Sequence, residues 1–296
     1  MDEKTLKDLI DALVEDKKSE RRFKIVSRVI ILVIFVTIFT LPFVSSDKIY
    51  KVGNHTAVIN INGVISPGGD NTKKVIDLIT KAVENELCQN IILNINSPGG
   101  SATQSKIIFD QIRMIKETSN KTIYAVIDDV GASGGYYIAA SGDMIIANSS
   151  SIVGSIGVRL DSINIESLAK KLGIESQTIS SGEDKTILDP FQSLTQKQRD
   201  HLNALVKDIH NDFITDIKLA RGSKIEDASV FTGLFWTGKQ ALQLGLIDEV
   251  GSIYDINKKY LNDSNLVVYN KKTSLIDELM QSLLSNYSNT IIGISY

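Results

Sequence analysis

Apolar and polar positions alternate through "HTAVININGVIS" (His55 to Ser66), which is rich in β-branched residues and therefore predicts a strand. Helical spacing follows in "TKKVIDLITKAVEN" (Thr72 to Asn85), then a short apolar strand, "NIILNIN" (Asn90 to Asn96), ended by "SPGGS". "ATQSKIIFDQIRMIKETS" (Ala102 to Ser119) predicts a second amphipathic helix, "KTIYAVIDD" (Lys121 to Asp129) a third strand and "DMIIAN" (Asp143 to Asn148) a short fourth. Strand and helix alternate, so the expected fold class is α/β, with mainly parallel strands and helices outside them. Beyond this core, one long helix is predicted from a Thr195 cap to Gly222, and an amphipathic helix in the tail from Ser274 to Asn289. The chain contains no internal repeat and no low-complexity linker.

The pattern changes near the N-terminus, where the 18 residues between Arg28 and Asp47 carry no charge. As a helix they reach about 27 Å, close to the apolar thickness of a bilayer. Lys17, Lys18, Arg21, Arg22, Lys24 and Arg28 precede this run, and only Lys48 and Lys51 follow it closely. That bias predicts a single-pass anchor with a cytoplasmic N-terminus and everything after Asp47 outside. A cleaved secretory signal competes, since Val44-Ser45-Ser46 loosely resembles a processing site. Against it, the preceding 28 residues mix seven acids with eight bases. The expected organisation is a cytoplasmic segment 1–22, a transmembrane anchor 23–46, a main domain 47–270 and a tail 271–296.

Composition supports a folded main domain: 43% of the 296 residues are hydrophobic and 23% charged. A net charge of −3 offers no basic field for a phosphate backbone, so no nucleic-acid partner is expected. Cys88 is the only cysteine, which excludes an intramolecular disulfide, and it reads as a small buried hydrophobe.

Candidate chemistry centres on "DDVGASGGYYIAAS", where Ser133 stands between a β-run and a small-residue helix beginning near it. A serine there serves as a helix cap in most proteins; with unpaired N–H groups around it, it can also be a nucleophile. The second glycine pair, in "INSPGGS", ends the neighbouring strand, and the N–H groups of Gly100 and Gly134 are candidates to hold the oxygen of a tetrahedral acyl intermediate. Two tight strand-to-helix turns account for the glycines equally well. A nucleophilic serine needs a proton acceptor, and none of the three histidines lies near either motif in sequence. His201 and His210, nine positions apart, fall on opposite faces of the long helix and read as solvated. The other solution is a lysine made neutral by burial, and composition does not choose which.

The set "NINSPGGS", "GASGGYYIAASGD" and "SSIVGSIGV" resembles the bacterial signal peptide peptidase A family of membrane-anchored serine proteases. The likeness runs from about Thr56 to about Gly251 and takes in "SGEDKTILDPF" and "FTGLFWTGKQALQLGLIDEVG". It implies a Clp protease and crotonase-like spiral of β-β-α units in the short form, with one anchor and one protease domain, 47–270. It implies that Ser133 is the nucleophile, Lys185 the general base, Ser155 the serine that orients the lysine amine, and Gly100 and Gly134 the oxyanion donors. It further implies a homo-oligomer in which neighbouring subunits share each dyad, a place in the bacterial inner membrane against lipid, and released signal peptides or other apolar peptides as substrates. No metal or other cofactor is implied. Glu183 and Asp184 depart from the family pattern, which often has a further basic or small residue there, and carboxylates turned toward the amine would favour its charged form. Two rival readings are a crotonase-like acyl-CoA enzyme, which also uses paired glycine N–H groups, and a catalytically silent membrane scaffold.

Overall fold

The computed structural model of the chain describes residue 17 and residues 21–23, 25–33, 53–68 and 70–270. Two compact units divide it, one of residues 1–52 with 273–281 and one of residues 53–272 with 282–296. In the first, residues 21–23 and 25–33 are helical. Among the described residues no helix is long and apolar enough to cross a membrane. Residues 24 and 34–46 of the predicted anchor and the whole predicted tail lie outside the described residues.

The second unit runs β1 (His55–Asn62), α1 (Asp70–Glu84), β2 (Cys88–Ser97), α2 (Ala102–Thr118), β3 (Thr122–Ala132), α3 (Gly134–Ala139), β4 (Met144–Ala147) and β5 (Ile152–Gly154). It continues with α4 (Glu166–Lys171), α5 (Gln196–Arg221), β6 (Phe235–Thr237), α6 (Gly238–Gln243), β7 (Glu249–Val250), α7 (Ile253–Tyr260) and β8 (Asn265–Val268). The strands form one sheet in the order β6-β5-β3-β2-β1-β8, with β4 beside β3 and β7 beside β4. Every described pairing is parallel except β5 with β6, in agreement with the α/β expectation.

Both faces of this sheet are covered, which is why its central strands are apolar at consecutive positions. Ala57, Ile59, Ile91, Ile92 and Leu93 are fully buried. One face packs Val58, Ile92, Val126 and Ile146 against Ile256 within α7 and Leu261 just beyond its end. Helices α1 and α2 bury single stripes, Val75, Ile79 and Ala82 on the first and Ile108, Phe109 and Ile112 on the second.

Two departures from the predicted elements shape the site. The first strand stops at Asn62, and Gly63 (φ 73°) turns the chain so that Ile65 makes an isolated parallel bridge with Gly100. The third strand runs on to Ala132 because its two halves have different neighbours: Tyr124 to Ile127 pair with β4, and Val130 to Ala132 with β5. The sheet thus forks at the carboxyl end of β3, the kind of place where open parallel sheets bind ligands.

Helix α5 starts at a reciprocal capping box between Thr195 and Gln198 and ends at Gly222, as the sequence predicts. It buries only Phe213, Ile217 and Arg221. Between β5 and α5, residues 157–194 contain a single buried residue, Ala169. Ile163 is 77% exposed in this stretch, and Leu168, Leu172, Ile174 and Ile179 are exposed as well.

Candidate active site

Ser133 follows β3 directly and occupies the cap position of α3, but its side chain makes no capping hydrogen bond. Its backbone sits at φ 52° and ψ −121°, a conformation that costs a residue with a Cβ about 1–3 kcal/mol. The backbone groups hold it there: its N–H donates to the Gly154 carbonyl at 2.7 Å, and its carbonyl accepts from the Tyr137 N–H at 2.9 Å. The hydroxyl has no hydrogen-bond partner among the described residues. A serine strained into place with its oxygen left unengaged has the attributes of a nucleophile and not those of a cap.

The two glycine motifs meet at this serine. A Cβ on Gly99 (φ 98°) would lie 2.7 Å from the Gly134 nitrogen and 2.8 Å from the Ser133 Cβ, so only glycine permits the approach. On Gly134 a Cβ would fall 2.2 Å from Ser105 Oγ on α2, so the start of α3 lies directly on that helix. Around Gly100 the bridge uses its neighbours: Ile65 N–H donates to the Gly99 carbonyl and Ser101 N–H to the Ile65 carbonyl, each at 2.8 Å. The N–H groups of Gly100 and Gly134 themselves have no partner among the described residues, which leaves two donors beside the hydroxyl for an incoming oxygen.

Ser155 is the residue after Gly154, the residue that accepts the Ser133 N–H. It too has a left-handed backbone (φ 53°), and its N–H donates to the Leu234 carbonyl at 2.7 Å. A single peptide unit therefore separates Ser155 from the anchor of Ser133, although the two serines are 22 positions apart in sequence.

Lys185 is exposed, on a turn in which its N–H donates to the Gly182 carbonyl at 3.1 Å. Its ammonium has no hydrogen-bond or ion-pair partner among the described residues, Ser133 included, so one chain does not join the predicted dyad. The neighbouring carboxylate is engaged by α5: Asp184 accepts from Gln198 at 3.1 Å and from Lys197 at 3.2 Å. Those bonds, Gln198 first, hold its carboxyl below the usual range.

Two of the histidines are tied up in structure. His55 is buried, with Nδ1 2.9 Å from the Gly53 carbonyl and Nε2 2.7 Å from the Tyr269 hydroxyl. His210 corrects the sequence reading: it is half-buried, and its Nε2 lies 3.1 Å from the Ile156 carbonyl, next to Ser155. His201 is exposed, as expected. Cys88 is buried, and burial pushes its thiol up, so it is the inert hydrophobe the sequence suggested.

Nothing in residue order signals the polar cluster behind Ser133. The Tyr137 hydroxyl donates to Asp216, which also pairs with Lys106 at 2.7 Å, while the Tyr137 ring stacks on Phe213 with centroids 4.2 Å apart. Burial and the Asp216 bond hold the Tyr137 phenol well above its ordinary range, so it stays a donor. At the end of α5, buried Arg221 meets Asp248 through bonds of 2.8 and 3.0 Å and also donates to the Gly245 carbonyl. Each cluster joins residues more than twenty positions apart, a distance over which spacing carries no information.

Residues 115–266, just over half the chain, match the signature of Peptidase family S49. The chain belongs to that family. A protein of Synechocystis named "Putative protease slr0021" is 34% identical over 67% of this chain and 70% of its own length. Protease 4 of Haemophilus influenzae is 31% identical over 71% of this S49 chain and 35% of its own. A Brucella melitensis protein named Na(+)/H(+) antiporter NhaA is 39% identical over 70% of the chain, which spans only 29% of that protein's length. The family resemblance seen in the glycine motifs is thereby established.

Proposed function

We propose that this S49 chain is a membrane-anchored serine endopeptidase that hydrolyses released signal peptides or other apolar peptides near the membrane, using Ser133 and Lys185 as its dyad. The observation that carries this reading is the unengaged Ser133 hydroxyl, strained at a helix start beside two unpartnered glycine N–H groups. Lys185, brought by a neighbouring copy of the chain, is the base. The exposed apolar side chains of residues 157–194 support that arrangement, because burying Ile163, Leu168 and Leu172 on a second copy removes them from water and carries the Lys185 turn with them. The fold then corresponds to the Clp protease and crotonase-like spiral, assembled as a ring.

In the reaction, the neutral Lys185 amine takes the Ser133 proton as Oγ attacks the peptide carbonyl, with Ser155 orienting the amine. The carbonyl oxygen gains charge as the tetrahedral intermediate forms, and the N–H groups of Gly100 and Gly134 stabilise it. The C–N bond then breaks, and the lysine proton passes to the leaving amine. Water, deprotonated by the same amine, attacks the acyl-enzyme, and the proton returns to Ser133 as the acid leaves.

The test uses the full chain with Ser133→Ala and with Lys185→Ala, assayed on a fluorogenic apolar peptide. Both variants should be inactive, and a mixture of the two should recover part of the activity as subunits exchange. Wild-type turnover in both would overturn the assignment, and a mixture that stays inactive would overturn the sharing of sites.

A further inference from the structure

Ser155 holds a backbone conformation that a residue with a Cβ avoids, so something must fix the peptide units on both sides of it. On its N-terminal side the Ser155 N–H is tied to the Leu234 carbonyl at 2.7 Å. On its C-terminal side the tie comes from α5, where His210 Nε2 stands 3.1 Å from the carbonyl of Ile156. A carbonyl has no proton to give, so Nε2 carries one and donates it. That carbonyl has no other partner among the described residues, and Ile156 is itself fully buried.

The helix supplying this donor is anchored to the nucleophile's own helix. His210, Phe213, Ile217 and Arg221 recur at the spacing of one helical face, and the last three are the residues that α5 buries. Phe213 stacks on Tyr137, Asp216 accepts the Tyr137 hydroxyl, and the Tyr137 N–H holds the Ser133 carbonyl. Arg221 fixes the far end of the helix to Asp248. One rigid element thus touches both the turn after Ser133 and the loop after Ser155.

We propose that His210 is a positioning residue, whose Nε2–H holds the Ile156 carbonyl so that the Ser155 hydroxyl keeps the orientation needed to fix the Lys185 amine. This inference rests on the Ser133–Lys185 reading. Without the tie, Ser155 relaxes toward negative φ and its oxygen swings away from the site. The imidazole donates in its neutral and charged forms alike, so it exchanges no proton in the reaction.

The experiment is a cycle of His210→Ala, Ser155→Ala and the double variant in the full chain, with His210→Gln as the conservative replacement. Peptide cleavage supplies kcat and KM; the rate at which a fluorophosphonate acylates Ser133 registers variants too slow to turn over. His210→Ala should lower kcat and the acylation rate about tenfold, with KM unchanged within about twofold. His210→Gln, which restores an N–H, should recover to within about threefold with a wild-type pH profile. In the Ser155→Ala background the His210 change should have no further effect. Wild-type rates in His210→Ala, no rescue by glutamine, a changed pH profile in His210→Gln, or an undiminished tenfold loss without Ser155 would each overturn the proposal. Activity surviving Ser133→Ala and Lys185→Ala would instead overturn the dyad, a separate outcome.

Discussion

Replacing Gly99 with alanine tests whether the two glycine motifs meet as the structure places them. At φ 98° an added Cβ incurs the left-handed penalty, about 1–2 kcal/mol for a residue with a side chain. The same carbon would stand 2.7 Å from the Gly134 nitrogen and 2.8 Å from the Ser133 Cβ, both well inside contact distance. Overpacking of this kind costs about 1–3 kcal/mol, so the total is about 2–5 kcal/mol. Relief is available only by moving Ser133 and Gly134, and a shift of about 1 Å there costs about a hundredfold in rate. The assay pairs urea unfolding with peptide cleavage. Gly222→Ala serves as the control: it also has a positive φ (56°), but no atom lies within 4 Å of the added carbon. It should lose about 1–2 kcal/mol and keep its turnover. Gly99→Ala with wild-type stability and wild-type kcat would refute the juxtaposition.

Arg221→Ala removes a buried guanidinium from Asp248; with Lys224 still bonded to that carboxylate at 2.6 Å, the loss of stability should be about 3 kcal/mol in urea, the low end for a broken buried pair. The same carboxyl supplies a pH test. Burial alone would raise it, but the bonds from Arg221 and Lys224 outweigh burial and hold it below the usual range. Its contribution to stability is therefore complete above the unfolded value of about 3.9 and is lost as pH falls through the lower folded one, so Asp248→Asn should flatten the acid limb of stability below about pH 4. Ile163→Asp, at a side chain 77% exposed in one copy, should leave the fold intact by circular dichroism while lowering the mass of the assembly and abolishing cleavage; an unchanged mass would remove residues 157–194 from the subunit contact.

The long elements were legible because burial on a fixed period leaves a mark on residue order. The run at Thr195 to Gly222 reappears residue for residue with its caps, and the strand read at Asn90 to Asn96 lies within the observed Cys88–Ser97. Strands β5, β6 and β7 were not read, since two or three residues cannot display a period of two. Whether Ser133 caps its helix was open in the sequence, because the answer lies in φ and in an unmade hydrogen bond, and residue type does not encode either. The nine-residue offset correctly separated the faces of His201 and His210, but the loop that would lie against one face depended on chain folded from more than fifty positions away. The lysine was nameable only through family motifs, for among the described residues of one chain no hydrogen bond ties it to the serine.

The stretch between β5 and α5 contributes one buried side chain to its own subunit, so nearly all of its substitutions leave the energy of that subunit's fold untouched. A survey of variants scored by expression or melting would therefore pass over it as dispensable. Under the proposed sharing of sites between copies, the same survey scored by peptide cutting would find some of its sharpest losses there, and the gap between the two maps would outline the surface that one copy lends to the next.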